Sequence, residues 1–106
     1  MILHKDMFWG EEAGKRRFEL RWKLRHQKNL KDCYLIVISD QDSSNLLDLI
    51  PAEELKHLST NERLLDSVVI GMAEDKAEAI EVVRVIIDTV YHNTGGLDIR
   101  KYFLTV

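Results

Sequence analysis

The sequence predicts an α+β domain, with a small mixed sheet of three to four strands covered by helices in a single two-layer unit over residues 1–106. Three observations carry this prediction. Residues 33–39 and 67–73 are short, β-rich apolar runs bounded by turn residues, as strands buried on both faces are. Residues 75–94 repeat apolar side chains at spacings of three and four, the period of an amphipathic helix. Finally, 106 residues give room for one core and not for a second folded unit beside it.

The elements follow in chain order. Residues 11–28 are mostly Glu, Lys, Arg, Leu, Ala and Gln, which lose little on entering a helix. As a helix the segment puts Ala13, Leu20 and Leu24 on one stripe and Phe18 with Trp22 on nearly the opposite one. A strand is the competing reading, because Phe18, Leu20, Trp22 and Leu24 alternate with charged residues. Residues 33–39 then form a central strand. Residues 46–50 form a second strand in a hairpin with it, since Pro51 pushes Ile50 toward an extended conformation. Pro51 suits the first turn of a short helix reaching to about Leu58, with Glu53 and Glu54 near its positive end. Residues 67–73 are the third strand, and the link to it from the second is long enough for a right-handed crossover.

Asp75 and Glu78 resemble a capping box opening the long helix. On it, Ala79, Ile80, Val83, Ile86, Ile87, Val90 and Tyr91 are expected to make a wide buried face, with Ile80, Val83, Ile87 and Val90 as the main contribution to the core. Gly95 or Gly96 stops the helix, and the tail from Asp98 fits either helix or strand. The order is therefore helix, strand, strand, helix, strand, helix, tail.

Apolar residues make up 45% of the chain and charged residues 31%, ordinary for a folded protein and too apolar for disorder. The apolar run Tyr34 to Ile38 is far shorter than the roughly 20 residues a membrane span requires. His4, Lys5 and Asp6 interrupt the N-terminal apolar residues before they reach signal-peptide length. A lone Cys33 forms no internal disulfide and is expected to pack as a small hydrophobe. A cytoplasmic protein without membrane contact is the expectation. The net charge of −3 is unevenly spread: residues 1–31 hold nine Lys and Arg against four acids, and residues 32–106 hold six against fourteen. The chain thus has a basic head and an acidic body.

Few residues point to catalysis. The run Ser39-Asp40-Gln41-Asp42-Ser43-Ser44 follows an apolar strand, which places two carboxylates at a strand's carboxyl end, where Mg²⁺ or phosphoryl transfer can use them. Over residues 34–44 it resembles the opening motif of haloacid-dehalogenase-like phosphohydrolases. That resemblance implies Asp40 as nucleophile and Asp42 as acid/base. The companion Ser or Thr, Lys and acidic pair on a larger parallel sheet are not in evidence, and Asp and Ser are also ordinary hairpin-loop residues. Gly71-Met72-Ala73, read as a strand-to-helix connection, offers backbone N–H groups for an anion but lacks a fuller glycine-rich pattern. His4, His26, His57 and His92 have no metal-ligand spacing, so no metal site and no cofactor is expected. His57 and His92 fall near helix C-termini, where carbonyl dipoles favour them.

The strongest functional signal is the basic run Lys15, Arg16, Arg17, Arg21, Lys23, Arg25, Lys28 and Lys31, interleaved with Phe18 and Trp22. Such cations pair with phosphates, and such rings stack on bases. Aromatic residues and arginines also anchor protein interfaces, and the sequence pI of about 5.8 is acidic. The expected function is a non-catalytic protein-interaction or regulatory module, acting as a homo-oligomer or with a protein partner. Its contact residues are Arg17, Phe18, Arg21, Trp22, Lys23 and Arg25. Nucleic-acid binding by the same helix is the alternative, and Mg-dependent phosphoryl transfer by Asp40 and Asp42 a further one.

Overall fold

A computed structural model describes residues 2–26, 32–38, 47–54 and 68–104, and the account that follows concerns these. Their elements are β1 (Ile2–Trp9), α1 (Glu11–Gly14), α2 (Arg17–Arg25), β2 (Tyr34–Ile38), β3 (Leu47–Pro51), β4 (Val68–Ala73), α3 (Lys76–Thr94) and α4 (Ile99–Leu104). The strands form one mixed sheet in the order β1-β4-β2-β3. β1 is parallel to β4, and β2 is antiparallel to both β3 and β4.

The α+β class and the four-stranded mixed sheet are as the sequence predicts, and so are the β2–β3 hairpin and the central position of β2. The layering differs. Successive side chains of a strand point to opposite faces, and both faces here are covered. On one side Leu35, Val37, Val69 and Met72 pack with Ala13 of α1 and with Leu20 and Leu24 of α2. On the other Ile36, Ile38 and Ile70 pack with Ala79, Val82, Ile86 and Val90 of α3 and with Ile99 and Phe103 of α4. Helices sandwich the sheet, giving three layers where two were expected.

The sequence order also lacked β1, which occupies an edge of the sheet. Its pairing with β4 is broken: between Leu3 and Phe8 it advances five residues while β4 advances two. The bulge holds Lys5 and Asp6 out in solvent. Bulges and charges of this kind protect a free edge from pairing with another chain. They also erase the alternation by which a strand is read from sequence.

Pro51 does not open a helix; it is the last residue of β3, an edge position where a missing N–H costs no ladder bond. A single 3₁₀ turn follows at Ala52, Glu53 and Glu54, and the remainder of the expected helix lies outside the described residues. The expected helix over 11–28 is divided into α1 and α2, with residues 27 and 28 outside the described set.

Gly71-Met72-Ala73 is not a connection but the buried end of β4, paired to β1 and β2, so it presents no anion site. Gly71 has a steric role. Opposite Ile36 and Val37 of β2, β4 carries one extra residue, so Ile70 and Gly71 both face α3, and a Cβ on Gly71 would lie 3.1 Å from the Phe8 carbonyl oxygen and 3.4 Å from Val82. The absent side chain lets β1 and α3 close on the bulge.

α3 begins at the expected cap, with Asp75 Oδ1 accepting the Glu78 N–H at 2.8 Å, and ends at Gly95 with φ 76°. Its buried face is Ala79, Val82, Ile86 and Val90. Ile80 and Tyr91, expected inside, are 56% and 57% exposed, and Val83 and Ile87 are half-buried. The helix is turned so that Val82 replaces Ile80 against the sheet.

Candidate interaction surface on helix α2

α2 is fixed to the sheet by Leu20 and Leu24, which are 1% and 5% exposed. Because the helical period sets the opposite stripe outward, Phe18 is 80% and Trp22 55% exposed. The helix reading of 17–25 and the division into two stripes therefore both hold, and the strand reading does not.

The cations around these rings fall into two groups. Lys15 pairs with Glu12 at 3.0 Å, Arg16 with Glu19 at 2.7 Å and Lys23 with Glu19 at 3.7 Å. The hydrogen bond from Arg16, then its charge, holds the Glu19 carboxyl below its ordinary range, and the bond to Glu12 raises Lys15. All these groups face solvent, where such pairs add little to stability. Lys23 is thereby placed on the far flank, engaged by an acid. Arg17, Arg21 and Arg25 make no salt bridge among the described residues. They recur every four residues and form one ridge beside the aromatic stripe. The Arg17 guanidinium stands 5.2 Å from the centroid of the Phe18 ring, within cation–π range.

Sequence reasoning overlooked one member of the surface. His26 lies four residues beyond Trp22, and their ring centroids are 4.7 Å apart, so the stripe continues for another turn. The i, i+4 spacing was the available signal. Lys28 and Lys31 lie outside the described residues.

Half-buried Arg21 connects this surface to an open groove of about 710 Å³ around the β1 edge, where it is lined with Lys5, Asp6, Trp9 and Tyr102. His4 fixes the groove's wall. Its Nδ1 accepts the Asp6 N–H at 3.0 Å, so the proton is on Nε2, which donates to the Phe103 carbonyl at 3.1 Å. The ring ties the β1 bulge to α4, and both its nitrogens are engaged.

The other candidates fare differently. Asp40, Asp42 and His57 lie outside the described residues. Cys33 is 4% exposed, and burial pushes its thiol up to about 11, which suits packing and not nucleophilic attack. His92 stands in the last turn of α3, as expected. No group of three or more His, Cys, Asp or Glu among the described residues is placed to hold a metal ion. No helix among them is long and apolar enough to cross a membrane.

The arrangement can therefore bury two aromatic rings and neutralise three arginines against a complementary surface. Comparison with known proteins adds no relative: no protein-family model, no curated protein and no solved structure matches this chain.

Proposed function

We propose that the protein is a non-catalytic interaction module that binds a protein partner, in the first instance a second copy of itself, through the outer face of α2. One observation carries this reading: Phe18 and Trp22 are 80% and 55% exposed beside Arg17, Arg21 and Arg25, which have no acidic partner among the described residues. Tryptophan and arginine are the residues most enriched among interface hot spots, and rigid aromatic side chains lose little entropy when they anchor a contact. Three cations of the basic run, Lys15, Arg16 and Lys23, are already matched by Glu12 and Glu19. This weakens the case for a phosphate-binding strip.

Sedimentation over a range of concentrations tests the reading, with Trp22→Ala expected to weaken association about tenfold or more, the scale of a hot-spot truncation. No nucleic acid should bind before or after the change. Tight, salt-sensitive binding of DNA or RNA by a protein that stays monomeric would instead assign Arg17, Arg21 and Arg25 to phosphates.

A further inference from the structure

We propose that the α2 face of one copy docks on the outer stripe of α3 of the next, so that copies associate head to tail. The inference rests on the reading of α2 as the contact face and names the surface that receives it.

Charge decides against the simplest arrangement. An interface in which α2 meets α2 across a two-fold axis would oppose two ridges of Arg17, Arg21 and Arg25, none of which pairs with a carboxylate among the described residues. Like charges brought together in a desolvated contact oppose association. The receiving surface must combine apolar area with acid.

α3 provides both. Ile80, Ile87 and Tyr91 form a row at the solvent edge of the core contact: Ile80 is 56% and Tyr91 57% exposed, and half-buried Ile87 between them packs against the core. Glu81 and Asp88 flank this row, with Arg84 between them, paired to Asp88 at 3.0 Å and to Glu81. Two carboxylates around one guanidinium leave an excess negative charge and open lone pairs for an incoming arginine. The dimensions agree as well. Nine residues of α2 span about 14 Å and the nineteen of α3 about 28 Å, so the shorter helix lies wholly on the longer.

α2 and α3 cover opposite faces of the sheet. One copy can therefore donate α2 and receive on α3 at once, and a heterologous contact of this kind propagates into rings or open chains. The basic head and acidic body of the sequence give that polarity a physical basis.

The test uses two variants of the full chain, Trp22→Ala and Ile80→Lys/Tyr91→Ala, both altered at exposed positions and checked for an unchanged denaturation midpoint. In sedimentation velocity the wild type should grow beyond a dimer as concentration rises, and each variant alone should remain monomeric. Mixed, they should form a 1:1 heterodimer and nothing larger, because one retains a working α3 stripe and the other a working α2 face. If Ile80→Lys/Tyr91→Ala associates as the wild type does while Trp22→Ala does not, this inference fails and the α2 reading stands. A discrete wild-type dimer with no complex in the mixture also overturns it. If Trp22→Ala leaves association unchanged, both readings fall.

Discussion

Glu78 is the most informative single residue for stability. It lies on α3 but its carboxylate reaches across to α1, where Oε1 accepts the Ala13 N–H at 3.1 Å and Oε2 the Glu12 N–H at 3.2 Å. Oε1 also accepts the Glu74 N–H at 3.1 Å. One carboxylate thus serves donors at the start of α1 and in the β4–α3 turn, groups that have no partner within their own elements. Gly10 makes the approach possible, because a Cβ there would overlap the Glu78 carboxylate itself. Its φ of −65° and ψ of 162° are open to any residue, so the constraint at Gly10 is steric and not conformational.

The magnitude follows from this geometry. Hydrogen bonds to a charged group contribute about 1.5–3 kcal/mol when shielded and less in solvent. Only the bond to Ala13 is partly buried. Glu78→Ala should therefore cost about 2 kcal/mol, and Glu78→Gln, which keeps one acceptor oxygen, about 1 kcal/mol. Gly10→Ala displaces the carboxylate and should cost about 2 kcal/mol, although such a change otherwise stabilises by about 0.4–1 kcal/mol. The two effects share one cause. In the Glu78→Ala background, Gly10→Ala should be neutral or slightly stabilising, a coupling of about 2 kcal/mol in a double-mutant cycle. Urea denaturation of the four proteins, with m held constant, gives the cycle directly. An equal cost for Gly10→Ala in both backgrounds would refute the shared cause.

Two further outcomes are expected. Ile86→Ala should cost about 2–5 kcal/mol because Ile86 is fully buried, whereas Ile80→Ala should stay within about 0.5 kcal/mol; reversed costs in urea denaturation would return the helix to the rotation read from sequence. For Cys33, burial raises the thiol from an ordinary value near 9 to about 11, so the unfolded chain loses its proton first. Stability should accordingly fall across that window by up to about 1.4 kcal/mol per pH unit. This decline should be absent from Cys33→Ala, and parallel pH profiles of the two proteins would contradict it.

The parts of the fold legible in sequence are those in which one pattern had one reading. β2 and β4 are apolar on both faces because the sheet is covered on both sides, and a continuous apolar run reports that directly. The Asp75 cap and the Gly95 stop depend on local geometry alone. β1 failed for the opposite reason, since its register break replaces alternation with the charged Lys5 and Asp6. Pro51 satisfied two rules at once, the helix first turn and the edge strand, and only the pairing of β3 with β2 decides between them. In α2 the segregation of Leu20 and Leu24 from Phe18 and Trp22 was readable. The separation of Arg17, Arg21 and Arg25 from the acid-paired cations was open to the same reading and was missed: Glu12 and Glu19 stand three or four residues from Lys15, Arg16 and Lys23, and no acid stands at either spacing from the three arginines.

The error over Ile80 has a cause that bears on function. Apolar residues occupy more of α3 than one sheet face can cover, and periodicity locates such a sector without saying which edge of it is buried. A helix that serves only a core has its apolar arc matched to that core. Here the surplus stands in water as an aligned row, Ile80 and Tyr91 with half-buried Ile87 between them. Single exposed apolar residues are normal on any protein and need no account. A row on α3 and an aromatic stripe on α2, on opposite faces of one sheet and flanked by opposite charge, is a different condition. Each exposes apolar area that lowers solubility without adding to the core, and each supplies what the other lacks. The head-to-tail association proposed above would bury both at once.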